Sequence, residues 1–264
     1  MRQILALLLP GILALNCARA QNKYDTEIVA HRGYWDTNAQ NSIASLSKAQ
    51  EFGCWGSEFD LHLTADDVVV VNHDASIGHT AIQKSPFAAV RAHTLKNGEP
   101  VPTLAEYLAQ GAGSPCVLVL ELKPQYAPGR EEVLVEKCLE AIREKELMDP
   151  SRVAFISFSF YICRLLAQKC PGFTVQYLEG DRTPAEVLEA GINGIDYHFS
   201  RFQRHPEWVK EAHDLGMSVN VWTVDSREVM LEMLALGVDQ LTTNKPALAR
   251  GLIGERKSNP YFFR

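Results

Sequence analysis

The chain has 264 residues, of which 46% are hydrophobic, 22% charged and 9% aromatic, which excludes a disordered, collagenous or low-complexity polypeptide. A chain this long buries a sizeable core, in one large α/β domain or two small ones. Its formal net charge is −6, from 26 Lys+Arg against 32 Asp+Glu; with no basic block to offset that balance, nucleic acid is not expected as a partner.

The chain opens Met1-Arg2-Gln3, continues with an apolar run from Ile4 to Leu15, and then reads Cys17-Ala18-Arg19-Ala20. A short charged start, an apolar stretch and a small-x-small pattern at Ala18-x-Ala20 predict a signal peptide over residues 1–20, and hence export to the periplasm or beyond. The run is shorter than the ~20 apolar residues a bilayer span needs, so the mature chain is expected to lack a transmembrane segment. A lipoprotein anchor at Cys17 is the competing reading, and the bulk of Asn16 before it argues against that. Export implies an oxidising compartment, yet Cys54, Cys116, Cys138, Cys163 and Cys170 are odd in number and irregularly spaced. They read as buried small hydrophobes rather than a disulfide framework.

Residues 21–264 read as one domain in which short apolar runs alternate with helical periodicity. Strands are predicted at Glu27–His31, Ser57–Leu63, Cys116–Leu122, Arg152–Phe158, Phe173–Tyr177, Gly194–His198, Ser218–Val224 and Val238–Thr242. Helices are predicted between them, at Ser42–Phe52, Leu104–Gln110, Glu131–Glu146, Tyr161–Gln168, Pro184–Glu189, Pro206–Leu215, Arg227–Leu236 and Pro246–Leu252. Gly53, Gly191, Gly216 and Gly237 each follow a last turn. Strand–helix units without a flexible linker predict an α/β fold, a (β/α)8 TIM barrel, over an open doubly wound sheet, whose glycine-rich turn is missing. After the second strand, Asp66-Asp67-Val68-Val69-Val70-Val71 suggests a hairpin arm, and Ala75–Val101 a short insertion expected to lie over the active face.

Polar residues cluster where predicted strands end. Val29-Ala30-His31-Arg32-Gly33 sets an imidazole and a guanidinium before a flexible glycine, which suits anion chemistry as well as a plain loop. In Glu58-Phe59-Asp60, alternation turns both acids to one face, where a hard cation or solvent must relieve their repulsion. His62 continues that parity, and a solvent-facing strand end is its simpler reading. Glu121 and Lys123 follow four apolar residues on a third strand, as an oxygen ligand plus an anion-binding ammonium, or as an ion pair capping the strand. Asn72-His73-Asp74 adds a second imidazole. Together these residues suit metal-assisted phosphodiester cleavage with one histidine as base and the other as acid. Trp35, Trp55 and Trp208 read as packing residues, whereas Tyr177, Asp196, Tyr197 and His198 lie near strand ends that line a cleft in such a barrel.

From His31-Arg32-Gly33 through Glu58-x-Asp60, Asn72-His73-Asp74, Pro102-Thr103-Leu104-x-Glu106, Leu120-Glu121-Leu122-Lys123, Val221-Trp222-Thr223-Val224 and Gly237-Val238-Asp239, the chain resembles the glycerophosphodiester phosphodiesterase family. The resemblance implies hydrolysis of a small-molecule glycerophosphodiester to glycerol 3-phosphate and an alcohol, with one divalent cation, Ca2+ or Mg2+. It implies Glu58, Asp60 and Glu121 as metal ligands, His31 and His73 as the catalytic acid/base pair, Arg32 and Lys123 as phosphate contacts, and Trp222 as an aromatic wall for substrate near the glycerol. The chain departs from the family's Pro-Glu-Asn-Thr with Ala39-Gln40-Asn41-Ser42, and from its Thr-Asp with Thr243-Asn244. Loss of the charge at Gln40 bears on the Arg32 side of the site. Two other readings are a barrel phosphodiesterase acting on intact phospholipid, with Ile77, Ile82 and Phe87 as an apolar lip, and a non-catalytic phosphodiester-binding protein.

Overall fold

The computed structural model describes residues 26–126 and 128–258; the expected signal peptide and the aromatic C-terminus lie outside the described residues. The first half runs β1 (Glu27–Ala30), α1 (Ile43–Phe52), β2 (Gly56–Leu63), β3 (Val69–Val71), β4 (Ser76–Ile77), β5 (Thr80–Ala81), a 3-10 turn at Ile82–Lys84, α2 (Phe87–Arg91), α3 (Leu104–Ala112) and β6 (Val117–Leu122). The second half runs α4 (Pro128–Glu144), β7 (Val153–Ser157), α5 (Phe160–Lys169), β8 (Thr174–Tyr177), α6 (Pro184–Glu189), β9 (Gly194–His198), α7 (Phe199–Arg204), α8 (Glu207–Asp214), β10 (Ser218–Trp222), α9 (Arg227–Leu236), β11 (Gln240–Thr243) and α10 (Pro246–Ser258).

Eight parallel strands close into the expected barrel in the order β1-β2-β6-β7-β8-β9-β10-β11, and β1 pairs with both β2 and β11. The closing pairs set Ala30 beside Thr243 on one side and Ser57 on the other, so His31 leaves β1 between the ends of β11 and β2. Side-chain alternation sorts two cores. Outward residues such as Phe59, Phe155, Tyr197 and Val221 pack against the helices with Leu46, Tyr107, Leu166 and Met233. Inward Val29, Val117, Val119, Ala154, Ile156 and Leu178 fill the barrel, with Trp55, Phe158 and Trp222 against them.

Local signals in the sequence fix several helix ends. Ser42 caps α1 through a reciprocal box with Ser45, and Thr103 does the same for α3 with Glu106. Helix α7 was not anticipated; it starts directly at the end of β9, where the ring of His198 rather than a Ser, Thr or Asp accepts from the Ser200 amide.

The hairpin arm forms, with β3 antiparallel to β2. The insertion sits differently from expectation. Ile82, Val90 and Val101 build a separate small core with Val70, and Ile77, Phe87 and Leu95 pack onto it. None of the described residues 75–101 lines the cavity at the C-terminal end of the barrel, to which His31, Glu58 and Trp222 contribute. Ile77, Ile82 and Phe87 therefore form no lip: burying them in the insertion's own core removes more apolar surface from water than displaying them at a mouth.

Candidate active site

The turn after β1 is conformationally unusual. Arg32 has φ 56 and Gly33 has φ 81, two successive left-handed residues. That geometry aims the Arg32 amide at β2, where it donates to Glu58 Oε2 at 2.7 Å. Gly33 is required on two counts, since a Cβ there would lie 2.8 Å from the Ser45 carbonyl carbon and nearer still to its hydroxyl. Asn41, left-handed at φ 57, braces the next acid: its Nδ2 donates to Asp60 Oδ2 at 2.7 Å and its Oδ1 accepts from the Asp60 amide at 3.2 Å.

Glu58, Asp60 and Glu121 converge. One carboxylate oxygen from each lies within 4.8 Å of the others, and the residues are only 2%, 0% and 7% exposed. The register explains it: Asp60 and Glu121 are Cα partners across β2 and β6, and Glu58 lies on the same face of β2. Lys123 Nζ is 2.7 Å from Asp60 Oδ1 and also pairs with Glu121 Oε1. The reading of Glu121 and Lys123 as an ion pair at the strand end is thus realised, with the ammonium on Asp60 as well. Glu58 Oε1 has no hydrogen-bond partner among the described residues, and Asp60 Oδ1 faces the Lys123 ammonium at 2.7 Å. Hard carboxylate oxygens, buried, convergent and in part unpartnered, fit a hard divalent cation.

The electrostatics follow from burial. Desolvation, then the charges of Asp60 and Glu121, raises Glu58 well above the usual carboxylate range. Desolvation and Asp60 push Glu121 up to about 7 against the pull of Lys123. Burial acts upward on Asp60 too, but the Lys123 ammonium and the Asn41 amide outweigh it and hold that carboxyl well below its ordinary value.

His31 and His73 are each tethered through Nδ1, and neither has a partner at Nε2 among the described residues. His31 Nδ1 lies 2.8 Å from Asn244 Oδ1, and His73 Nδ1 lies 2.8 Å from Asp74 Oδ1. Burial, reinforced by the Arg32 charge, lowers His31 to about 4, so its ring is neutral near neutral pH. Arg32 Nη1 donates to Gln40 Oε1 at 2.8 Å, so the neutral residue at position 40 still steadies the guanidinium.

These groups share a cavity of about 280 Å³ at the C-terminal end of the barrel, where His31, Arg32, Glu58, His73, Glu121 and Lys123 face an opposite wall that includes Phe158, Leu178 and Trp222. Asp60 lies behind this lining, in the carboxylate cluster. Of the strand-end candidates, Asp196 lines the cavity, whereas Tyr177 and Tyr197 point outward into the helical core. His198 packs its ring against Trp222 at 5.3 Å. His62 is not in solvent: it is 3% exposed and its Nε2 donates to the His73 carbonyl at 3.2 Å. Trp35 does more than pack, since its Nε1 lies 3.1 Å from the His31 carbonyl and 3.2 Å from Asn244 Oδ1.

Sequence reasoning missed the work of Asn41 and of Asp225, which accepts from the Asn244 amide at 2.8 Å and from its Nδ2 at 2.7 Å. The left-handed tolerance of asparagine was a signal for the former; nothing in local sequence signals the latter.

The sequence profile of the glycerophosphoryl diester phosphodiesterase family matches residues 31–248. A glycerophosphodiester phosphodiesterase from Caldanaerobacter subterraneus subsp. tengcongensis is 27% identical over 243 residues, spanning 86% of this chain and 98% of that protein. The crystal structure of a glycerophosphodiester phosphodiesterase from Parabacteroides distasonis superposes with a TM-score of 0.86 at 41% identity, over 88% of this chain and 98% of the other. A phosphodiesterase from Oleispira antarctica, solved with the product sn-glycerol-3-phosphate, shares the fold at a TM-score of 0.73 and 22% identity, over 86% and 96% of the two chains. The profile runs from the cavity histidine His31 into α10, and the closely superposing Parabacteroides barrel spans nearly the whole described chain, so this protein belongs to the glycerophosphoryl diester phosphodiesterase family and is an enzyme of that kind.

Proposed function

We propose that the protein hydrolyses glycerophosphodiesters to glycerol 3-phosphate and an alcohol, using one divalent cation, Ca2+ or Mg2+, held by Glu58, Asp60 and Glu121. The observation that carries this reading is the convergence of those three buried carboxylates, within 4.8 Å of one another, at a cavity that two Nδ1-tethered histidines line. When bound, the cation neutralises phosphate charge and polarises the phosphorus toward attack.

The remaining chemistry belongs to the chain. His31, buried and neutral, takes the proton of the attacking oxygen at Nε2. His73, on the same cavity, delivers a proton to the departing alkoxide. Arg32, whose buried Nε has no hydrogen-bond partner among the described residues and sits 3.6 Å from Asp60 Oδ2, offers that donor to a phosphate oxygen. Lys123, which lines the cavity with its ammonium against Asp60 and Glu121, would offer that charge to a phosphate oxygen with the cation in place. Trp222 walls the carbon face of the glycerol, its indole anchored by a 2.9 Å hydrogen bond to the Asp196 carbonyl. We also place the protein outside the cytoplasm, on the signal-peptide pattern of residues 1–20; among the described residues no helix is long and apolar enough to cross a membrane.

Product analysis on a panel of glycerophosphodiesters, after exhaustive chelation and then with Ca2+ or Mg2+ restored, tests the reading. Glycerol 3-phosphate forming only with the cation present is the expected result. Full turnover in chelator would remove the cation, and cleavage of intact phosphatidylcholine in preference to glycerophosphocholine would overturn the substrate class. Cell fractionation tests the location, and retention in the cytoplasm would overturn it.

A further inference from the structure

We propose that Asn244 and Asp225 are positioning residues that lock His31 in the tautomer protonated at Nδ1, keeping Nε2 as a ready proton acceptor. The inference rests on the reading of His31 as the base and extends it to two residues outside the cavity lining.

The argument is one of donors and acceptors. An asparagine amide has two distinguishable ends, and its orientation decides what His31 must do. At one end, Asn244 Nδ2 lies 2.7 Å from Asp225 Oδ2, an oxygen that as a carboxylate only accepts. At the other, Asn244 Oδ1 lies 3.2 Å from Trp35 Nε1, which only donates. Both neighbours independently turn Oδ1 toward His31, so the 2.8 Å contact requires a hydrogen on Nδ1. Asp225 is itself fixed by the Thr243 hydroxyl at 3.0 Å and the Asn244 backbone amide at 2.8 Å. The chain thus sets a neutral amide against His31 and holds an acid directly behind it. A carboxylate at 244 would meet the Asp225 carboxylate at the 2.7 Å contact the amide now bridges, and one of the two would have to take a proton or turn away.

The test compares Asn244→Ala, Asn244→Asp and the exchange Asp225→Asn/Asn244→Asp, with His31→Ala as reference, in the cation-loaded enzyme on a glycerophosphodiester. Ring-nitrogen NMR on histidine-labelled protein supplies a second readout. Wild type should show His31 protonated at Nδ1 and bare at Nε2. Asn244→Ala should lose that signature, with kcat down about ten- to a hundred-fold and KM within about two-fold. Asn244→Asp should fall similarly, while the double exchange, which restores an acceptor toward His31 and a donor between the two side chains, should recover kcat to within about three-fold of wild type. A merely structural role would leave the tautomer unchanged and give the exchange no advantage over Asn244→Asp; either result overturns the proposal. If Asn244→Ala does not fold, the exchange still decides. If His31→Ala keeps its turnover, the assignment of the base fails; if it is dead while Asn244→Ala matches wild type in rate and spectrum, only the relay fails.

Discussion

Lys123→Met is the sharpest probe of the acidic cluster. The ammonium is buried and touches two carboxylates, Asp60 Oδ1 at 2.7 Å and Glu121 Oε1. At an effective dielectric of 20, a pair at that separation attracts by ~6 kcal/mol, which desolvation of the ammonium largely offsets. Removing one member of a buried pair nevertheless costs ~3–5 kcal/mol, because the partner stays behind without compensation. Here the lower end applies, since Glu121, pushed up to about 7 by burial and Asp60, relieves the strain by taking a proton. A loss of ~3 kcal/mol lowers the melting temperature of a barrel this size by roughly 6–12 °C. Thermal unfolding in chelator and then in saturating Ca2+ measures it. The variant should melt lower in chelator and recover most of the gap with the cation, which no longer competes with an ammonium for Asp60 and Glu121. Equal melting temperatures in chelator, or an equal gain from Ca2+ in both proteins, would refute the reasoning.

Cation affinity should rise with pH through about 7, where Glu121 gives up its proton. Desolvation and Asp60 raise Glu121 to about 7, so folding takes up a proton between its ordinary value and that point, and this contribution to stability is lost as pH climbs through about 7. Cation binding needs the unprotonated form, so calorimetry should show roughly tenfold tighter binding per pH unit below about 7; a flat profile contradicts it. His73→Ala should lower kcat by about 10²–10⁴ on a substrate with a poor leaving alcohol, with much less effect when the leaving group is a phenol that departs without a proton. Equal loss on both substrates removes the acid role. Gly33→Ala should cost ~2–4 kcal/mol in urea unfolding, since the added methyl meets the Ser45 backbone, whereas Gly53→Ala, at φ 73 with Arg250 Nη2 no nearer than 3.8 Å, should cost ~1 kcal/mol. Similar costs at both positions would show that dihedral strain alone matters.

The parts of the site written along a single strand were legible. Period-two alternation separates Glu58 and Asp60 from Phe59, whose ring goes outward to within 4.3 Å of the Tyr107 ring. The same rule puts Glu121 and Lys123 on one face. What alternation does not carry is how strands meet. Asn244 reaches His31 only because β11 closes on β1, and Asp225 reaches Asn244 across the ends of β10 and β11. His62 does not reach solvent because its parity turns it inward and its ring is held by the His73 carbonyl in the loop after β3. The insertion itself was misplaced because a run of weak periodicity gives its length and not the direction in which Ile82 and Val90 find apolar company.

Glu99, near the end of that insertion, accepts from the first amides of α1, Ile43 at 2.8 Å and Ala44 at 3.2 Å. Those amides open the helix two residues after Asn41, the side chain that grips Asp60 from both directions. The segment that looks from the sequence like a cover for the catalytic mouth is instead a buttress for the loop beneath it. Trimming this stretch past Glu99 should therefore loosen the hold of Asn41 on Asp60 while leaving the cavity lining as it is.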